Sequence, residues 1–541
     1  MTRPSVTHLR DGRLLLPDGR VVPGDLVIEG RKLALVGLCS TVVEADSVVD
    51  LGGRLVLPGF IDGHLHLEKI ACDSEKLTLA GAWETRDILN EIRNGSEVPP
   101  QSGWVVNYDE DGAGTLDRMR ERALPSQAEL DLVAPNVPVL LTSGGAQATL
   151  NSCALEWMRT RCSDISCSRA LASYGETDNL ITDVEVIRAL RRAIPLPSFE
   201  ARKDLVSSAA HVLNGQGLVA VVDPGHGLIP FEESLRLYRE LAVEERLSLR
   251  IHLMARFPIE TQCADAAAFL EAQGGTYRPG RWIDSNARIG FGGIKLIADG
   301  EIKTGWFRPE QGFRHSPRKH VDPAGLVSLA TDAARSGVQL GIHALGGAAM
   351  DMVFEAFRQA NRVRPVRSLR WSVIHGFFPS QENAKLAKDL GIVVSIQSPL
   401  VHAYASEMLE AWPAAMAASV NPVDTWLGTH VPISAGSDTF ETSPLLGLRW
   451  LHTRETAAGA PLGAEHGISR KDAVHAYTAG GAYLTFGEKQ RGALAEGMKA
   501  DLVVLETDIL SCPVQDLEPG LVSMVFFDGM QQEEVCHAGA E

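Results

Sequence analysis

The amino-acid sequence predicts an α/β fold: a (β/α)8 TIM barrel with a small β-sandwich domain built from both termini and an insertion after strand 1. Three observations lead to this prediction. Near-continuous apolar runs alternate with helix-length segments in the middle of the chain, which is the pattern of a parallel sheet covered on both faces. The two ends of the chain share a different texture of short β-like runs and frequent turns. The first two apolar runs of the middle are separated by a stretch far too long for a single crossover connection.

The predicted β domain comprises residues 1–56 and 488–541. Glycines and turns punctuate its short apolar runs, such as Leu26–Ile28 near the start of the chain. The same pattern returns in Asp501–Leu505 and Leu521–Phe527 near the end. Because two matching ends flank a different middle, we expect the two termini to fold together.

The predicted barrel comprises residues 57–487. Its eight candidate strands are Leu55–Leu67, Leu218–Asp223, Leu249–Ala255, Ile289–Ala298, Val338–Leu345, Leu369–Phe377, Ile392–Gln397 and Val431–Asp438. Helical patterns lie between most of these runs, at Phe231–Glu245, Gly325–Ser336, Ala348–Asn361 and Ser380–Leu390. Residues 68–216 form the predicted insertion, and a strand-like run inside it, Pro138–Thr142, indicates a subdomain of its own on the catalytic face.

The charge balance excludes two classes of partner. The chain has 51 Lys and Arg against 68 Asp and Glu, a formal net charge of −17, and an acidic surface repels phosphate backbones and anionic lipid. We therefore expect no nucleic acid and no membrane as partners. The first residues lack the continuous apolar segment of a signal peptide, and eight cysteines are sparse for 541 residues, which favours a reduced, cytoplasmic protein.

Side chains able to bind metals follow five of the predicted strands. His64 and His66 lie two residues apart at the end of the first strand, so both imidazoles project to the same face. The others are Lys295, His343, His375 and Asp438, at the ends of strands four, five, six and eight. Each alone is more often a structural residue, but the carboxyl ends of barrel strands converge, and catalytic residues come from several of them. The set as a whole therefore predicts a metal centre, since imidazole binds zinc and other transition metals.

Lys295 lies in an apolar run, where a charged ammonium is costly. Burial lowers the pKa of a lysine and leaves a neutral amine. Such an amine can add carbon dioxide to become a carbamate, an anionic ligand able to bridge two cations. The alternative is an ordinary lysine that either extends its ammonium to solvent or pairs with Asp299.

These segments resemble the amidohydrolase superfamily and, within it, the YtcJ-like branch of metal-dependent hydrolases (the amidohydrolase 3 group). The residues that carry the superfamily resemblance are Pro58–His66, Lys295–Gly300, Ile342–Gly346, Val373–His375, Ala435–Asp438 and the closing Gly497–Leu505. Features of the branch are Gly103–Val106, Leu130–Pro135, Pro138–Leu140 and Asn151–Leu155. The resemblance spans nearly the whole chain.

The resemblance implies two divalent metal ions, with zinc as the expected metal. His64, His66 and Asp438 would hold the first ion. His343 and His375 would hold the second, and carboxylated Lys295 would be the ligand that bridges both. In such a centre a metal-bridging hydroxide attacks the scissile carbonyl, and Asp438 carries a proton to the leaving nitrogen.

Substrate contacts are less clearly marked than metal ligands. The candidates are Trp104, Gln147, His226, Trp306 and His402. Packing or loop structure explains such residues equally well. Members of the branch also carry a Gly-His pair before the Asn-Ser motif, whereas Ala146 stands at the position of that histidine here. This departure leaves the metal ligands intact and puts the substrate contacts in doubt.

The function implied by the resemblance is cleavage of the C–N bond of a small-molecule amide, an N-substituted formamide or other N-acyl amine, because relatives in this branch act on such compounds. One alternative is a deaminase of a cyclic amidine, such as a cytosine-like or triazine-like ring. A second alternative is a non-catalytic scaffold of the same fold, but such proteins lose ligands and this chain keeps the whole set. Barrels of this type are often dimeric, so a homodimer is the expected assembly.

Overall fold

The computed structural model describes residues 4–37, 43–79, 82–107, 119–121, 123–143, 147–161, 171, 174, 180–273, 288–312 and 316–532. Two compact units make up the chain. One combines Met1–Lys69 with Ser207–Glu541, and the other is the intervening segment Ile70–Val206. Within the described ranges, no helix is both long and apolar enough to span a membrane.

The described strands belong to three sheets. In chain order they are β1 (Val6–Leu15), β2 (Val21–Glu29), β3 (Lys32–Gly37), β4 (Ser47–Asp50), β5 (Leu55–Pro58), β6 (Phe60–Asp62), β7 (Val105–Val106), β8 (Val139–Ser143), β9 (Gln147–Leu150), β10 (Leu218–Asp223), β11 (Arg250–Arg256), β12 (Ile289–Ile297), β13 (Leu340–Ala344), β14 (Ser372–His375), β15 (Val393–Ile396), β16 (Ile433–Ala435), β17 (Leu502–Leu505), β18 (Val522–Phe527) and β19 (Met530–Gln531).

Eight parallel strands form the barrel sheet, in the order β6-β10-β11-β12-β13-β14-β15-β16. A parallel bridge between Leu65 and Asp438 and a hydrogen bond from Gly63 N to Ala435 O (2.7 Å) bring the ends of the first and last strands together. The predicted barrel is confirmed, and each of the eight predicted runs overlaps a strand of this sheet. The first run divides at Gly59, because β5 joins the terminal sheet and β6 joins the barrel.

Helices lie between most of the barrel strands, and further helices belong to the second unit or follow the last barrel strand. In chain order, the described helices are α1 (Leu67–Asp73), α2 (Thr85–Glu97), α3 (Gln127–Val133), α4 (Ser152–Arg161), α5 (Val184–Ala193), α6 (Phe199–Gly215), α7 (Phe231–Val243), α8 (Gln262–Gln273), α9 (Pro323–Ser336), α10 (Gly347–Val363), α11 (Gln381–Leu390), α12 (Ser398–Ala411), α13 (Ala414–Ala418), α14 (Val423–Gly428), α15 (Pro444–Thr453), α16 (Arg470–His475) and α17 (Gly481–Leu484). The four predicted helical patterns correspond to α7, α9, α10 and α11. Local sequence sets their ends: at α9 the Asp322 side chain accepts a hydrogen bond from Gly325 N, and Gly337 ends the helix in the left-handed conformation (φ 70°).

Strands from both ends of the chain form the second sheet, in the order β19-β18-β17-β5-β1-β2-β3, with β4 paired to β1. β5 lies between β1, to which it is parallel, and β17, to which it is antiparallel. The apolar core of this sheet draws on both ends, with Leu9, Leu26 and Val56 from one and Leu502 and Phe526 from the other. The two ends therefore fold together, while the predicted limits at residues 56 and 488 stay predictions.

The second unit, Ile70–Val206, has its own sheet and its own apolar cores. β7 is parallel to β8, and β9 is antiparallel to β8. β8 is the strand predicted at Pro138–Thr142. One cluster of buried side chains includes Trp104 and Leu150, and another includes Ile88 and Leu141. A location of this unit on the catalytic face stays a prediction.

Candidate metal centre

The six side chains predicted as metal ligands lie together at the carboxyl ends of the barrel strands. The residues are His64 and His66 after β6, Lys295 on β12, His343 on β13, His375 on β14 and Asp438 after β16. Each is nearly inaccessible to solvent, and the side chain of Asp438, at 16% exposed, is the most accessible of them. The alternation of strand and helix in a barrel makes this convergence, because it directs the end of every strand to the same opening.

One half of the cluster is built around Asp438. Its Oδ1 lies 3.4 Å from His66 Nε2, and its Oδ2 lies 4.0 Å from His64 Nε2. One nitrogen or oxygen of each of these three residues falls within 4.8 Å of the others, a spacing suitable for a shared metal ion. Lys295 adjoins this group, with its Nζ 3.4 Å from His64 Nε2.

The other half of the cluster is the pair His343 and His375. His375 Nε2 lies 3.0 Å from His343 Nδ1 and 4.0 Å from Asp438 Oδ2. The carboxylate of Asp438 therefore faces both halves of the cluster.

Hydrogen bonds to the backbone orient two of the imidazoles. His66 Nδ1 donates to Gly225 O (2.8 Å), which leaves the lone pair on Nε2 facing Asp438. His343 Nε2 lies 3.4 Å from Gly300 O, so its Nδ1 carries the lone pair that faces His375. Such contacts to the far nitrogen are the means by which proteins fix the tautomer of a metal-binding histidine.

The donor set suits divalent metal ions. Burial lowers the pKa of His343 to about 3 and holds the pKa values of His64, His66 and His375 well below their usual range, so the imidazoles are neutral at pH 7. Burial also lowers the pKa of Lys295 to about 7, against the attraction of Asp438. The Nδ1 atom of His375 is buried without a hydrogen-bond partner among the described residues. Neutral imidazoles around a carboxylate are ligands that transition-metal ions bind readily.

Asp299 is a buried carboxylate whose role sequence reasoning missed. It accepts hydrogen bonds from the backbone N–H groups of Trp306 (2.8 Å), Leu345 (2.9 Å) and Gly346 (2.8 Å). These bonds connect the segment after β12, which contains Trp306, to the loop after β13, directly beyond His343. Asp299 therefore bonds to these backbone groups and not to Lys295, with which the sequence had suggested an ion pair as the alternative to a carbamate. The available sequence signal was a carboxylate at the end of an apolar strand.

Asp62 performs the same task between the first and last strands of the barrel. Its carboxylate accepts hydrogen bonds from His64 N (2.8 Å), from Ser437 N (3.0 Å) and from Ser437 Oγ (2.7 Å). One side chain therefore ties the segment that carries the two histidines to the segment that carries Asp438. Sequence reasoning passed over Asp62, although it precedes His64 by two residues.

Two of the candidate ligands have an uncommon backbone conformation. His375 and Asp438 adopt positive φ angles of 76° and 64°, in the left-handed region that side chains other than glycine disfavour. Each such residue costs about 1–3 kcal/mol, and positions of this kind concentrate at functional sites where the surrounding structure enforces them. The backbone strain in this site is therefore located at two of the candidate metal ligands, His375 and Asp438.

The predicted substrate contacts take varied positions. In the barrel unit, His226 is half-buried in the loop after β10, the ring of Trp306 lies under the Lys319 ammonium (3.9 Å), and His402 stacks on Trp450 (3.8 Å). In the second unit, Trp104 is buried against Trp157, and Gln147 begins β9. Ala146 lies outside the described residues. Substrate contact by any of these side chains stays a prediction.

A parallel barrel with this cluster at its carboxyl ends defines a class of protein, the metal-dependent hydrolases. The chain belongs to the amidohydrolase family, whose family model (Amidohydro_3) matches residues 47–531. It is accordingly a hydrolytic enzyme that acts on carbon–nitrogen bonds other than peptide bonds.

Three known proteins illustrate the likeness. N-substituted formamide deformylase from Arthrobacter pascens is 23% identical over 98% of this chain and 99% of its own length. The amidohydrolase YtcJ of Bacillus subtilis is 23% identical over 85% of each chain. A metal-dependent hydrolase from Pyrococcus horikoshii shares the fold, with a TM-score of 0.75 over 95% of this chain and 99% of that chain at 19% identity.

Proposed function

We propose that the protein hydrolyses the C–N bond of a small amide, an N-substituted formamide or other N-acyl amine. The observation that carries this proposal is the convergence of six metal-capable side chains from five strand ends in one buried cluster. The formamide is favoured because the deformylase from Arthrobacter pascens aligns with almost the entire chain. The intact cluster speaks against a non-catalytic scaffold.

The residues of the cluster divide into two sets of ligands. His64, His66 and Asp438 would hold one divalent ion, and His343 and His375 would hold a second. Zinc is the expected metal because imidazole and carboxylate ligands suit it. When bound, such ions polarise an amide carbonyl and lower the pKa of water.

Lys295 would bridge the two sets as a carbamate. Its uncharged amine forms an N–C bond to carbon dioxide and releases a proton, which gives a carboxylate at the end of the side chain. Burial beside His64 favours the uncharged amine that this addition requires. The product supplies a negative charge in a place where the described neighbours are mainly neutral imidazoles.

Asp438 is the residue best placed to move protons. Its carboxylate faces both histidine sets and is more accessible than the other five side chains. It would take a proton from the attacking water and give it to the nitrogen of the departing amine, which leaves as a neutral molecule.

Turnover of matched compounds tests the substrate class. The purified enzyme is incubated with N-benzylformamide, N-benzylacetamide and cytosine, and amine, formate, acetate and ammonia are measured. We expect release of benzylamine with formate or acetate. Ammonia from cytosine without amine release from either amide would overturn the proposal in favour of a deaminase.

Metal analysis tests the role of Lys295. We expect the Lys295→Ala variant to hold less metal per chain than the wild type, measured by inductively coupled plasma mass spectrometry. Lys385→Ala is the matched control, because Lys385 is an exposed residue on α11. Equal metal content and activity in Lys295→Ala and the wild type would contradict a bridging carbamate.

A further inference from the structure

Arg256 is a charged side chain at the barrel opening that the proposed hydrolysis does not use. It is the last residue of β11, and its backbone pairs with that of Lys295 in the neighbouring strand β12. Paired strands lie about 4.8 Å apart. Arg256 therefore stands at the same end of the barrel as the candidate metal ligands, one strand away from Lys295.

The loop after β10 is shaped around this guanidinium. Gly225 and Gly227 have positive φ angles of 81° and 85°, and a Cβ atom at Gly227 would lie 3.1 Å from Arg256 Nε and 3.2 Å from its Cζ. A Cβ at Gly225 would lie 3.2 Å from Arg256 Cβ. Since the carbonyl of Gly225 also accepts the hydrogen bond from His66, one loop holds the arginine and the histidine side by side.

The guanidinium has no direct partner among the described residues. Its Nε is buried without an acceptor, and no described carboxylate forms an ion pair with it. Asp223, Glu301 and Asp438 attract its charge only from a distance. Arg250, at the other end of the same strand, shows the usual arrangement, with Nε and Nη2 bound to Asp501 at 2.7 and 2.9 Å. Arg256 as a whole is only half-buried, so its terminal nitrogens are open to a ligand, and an anion bound there would compensate for the unsatisfied, buried Nε.

We propose that Arg256 binds a carboxylate of the substrate, so that the preferred amides are N-acyl amines with a carboxylate on the amine portion. This inference rests on the proposed amide hydrolysis and narrows its substrate class. The planar guanidinium matches a carboxylate, which it can bind through two parallel hydrogen bonds. A single negative charge is favoured over a phosphate dianion, because the three nearby carboxylates repel a second charge.

A pair of substrates that differ only in the carboxylate provides the test. N-formylphenylalanine, as both enantiomers, is compared with N-(2-phenylethyl)formamide by kcat/KM. We expect the wild type to prefer the carboxylate, and Arg256→Met to lose about 10- to 100-fold of that preference, the size expected for a hydrogen bond to a charged group. Arg256→Lys, which keeps the charge without the planar fork, should show an intermediate preference. Arg236→Met, at an exposed arginine on α7, should keep the wild-type ratio.

Binding without turnover separates failure of this inference from failure of the proposed function. Calorimetry measures 3-phenylpropanoate against 3-phenylpropanamide with the wild type and with Arg256→Met. Loss of the preference for the carboxylate in the variant supports the arginine site even where neither formamide is hydrolysed. An unchanged preference in Arg256→Met, in binding or in kcat/KM, would overturn the inference, because the carboxylate would then bind elsewhere, including at the metals.

Discussion

At the scale of single residues, the backbone of Asp438 is constrained from both sides. It adopts a left-handed backbone conformation and has its N–H bound to His64 O (2.6 Å) and its carbonyl bound by His66 N (3.1 Å). These bonds connect it directly to the backbone of the two histidines. Its carboxylate is thereby held between the histidine sets instead of turning toward solvent.

Replacement of Asp438 by asparagine tests its part in proton transfer. We expect Asp438→Asn to lower kcat by about 10²- to 10⁴-fold, since an amide cannot accept the proton, with a much smaller change in KM. Steady-state kinetics on the formamide substrate, with metal content measured in parallel, provide the check. Asp389→Asn, at an exposed position on α11, is the control. A kcat equal to that of the wild type would remove Asp438 from the role of acid and base.

His252 is a buried histidine on β11 that is not among the proposed ligands. The amide N–H groups of Gln339 donate to Arg370 O and Leu484 O, so Gln339 Oε1 faces His252 and accepts from its Nε2 at 3.1 Å. Burial lowers the pKa of His252 to about 4. The folded protein therefore holds this imidazole neutral at pH values where an unfolded chain, with a histidine pKa of about 6.5, binds a proton.

The lowered pKa of His252 predicts a loss of stability in acid. Above pH 6.5 the imidazole is neutral in both states; as the pH falls from about 6.5 to about 4, only the unfolded state gains the proton, which lowers the free energy of unfolding by about 3 kcal/mol. Urea unfolding at pH 8 and pH 5 measures about 2 kcal/mol of this loss, because pH 5 lies about 1.5 units below the unfolded pKa and each unit corresponds to about 1.4 kcal/mol. His252→Asn should be less stable than the wild type at both pH values, and its stability should depend less on pH. His211→Asn, on an exposed part of α6, should match the wild type in both respects. An unchanged pH dependence in His252→Asn would contradict this assignment.

The metal-capable residues were predictable from sequence because each is a polar side chain at the end of an apolar strand. Asp62 and Asp299 have the same sequence setting but were missed as anchors. Most of their partners, on Ser437, Leu345 and Gly346, belong to loops that follow other strands, up to 375 residues away in the chain. Which N–H groups lie nearby depends on the closed barrel, and a single sequence does not contain that information.

At the scale of elements, a bulge in β12 determines the direction of Lys295. Leu253 pairs with Phe291 and Ala255 pairs with Ile294, so two residues of β12, Gly292 and Gly293, oppose one residue of β11. An extra residue changes which face each later side chain occupies. The sequence predicted the strand, and its two adjacent glycines were a signal of the bulge that sequence reasoning passed over.

Gly293 has two reasons to be glycine. Its φ is 78°, and a Cβ there would lie 2.1 Å from the carbonyl oxygen of Gln339. We expect Gly293→Ala to lower the free energy of unfolding by at least ~3 kcal/mol, from backbone strain and the clash together. Gly497→Ala isolates the strain, because Gly497 has a φ of 81° and no atom within 4 Å of a Cβ; its expected cost is about 1–2 kcal/mol. Urea denaturation followed by circular dichroism compares them, and equal losses would contradict the clash.

At the scale of the whole barrel unit, a buried ionic cluster connects the barrel to the terminal sheet. Arg250, at the start of β11, binds Asp501 through two nitrogens and also binds Asp528. Asp528 N in turn donates to Asp501 Oδ1 (2.9 Å), and Arg250 lies over the ring of Phe527 (4.9 Å). The sequence predicted that the chain ends fold together from their shared pattern. It could not predict how they attach to the barrel, since Arg250 and Asp528 are 278 residues apart.

Removal of the arginine leaves two buried carboxylates without their main counter-charge. We expect Arg250→Met to lower the free energy of unfolding by about 3–5 kcal/mol in urea denaturation. Arg10→Met is the matched control on the same sheet, because the Arg10–Asp50 pair is more than half exposed on both sides and such pairs contribute about 0–1 kcal/mol. Equal stability of the two variants would show that the buried cluster is not a major contributor.

The place of β5 between β1 and β17 has a consequence for biosynthesis. Its partner β1 leaves the ribosome before it, but its other partner, Leu502–Leu505, is translated only after the entire barrel. For most of translation β5 therefore presents an open edge, one residue ahead of the strand that leads to His64 and His66. An unpaired edge of this kind attracts other extended chains. We therefore expect the nascent chain to associate more readily with other extended chains until its last strands are translated.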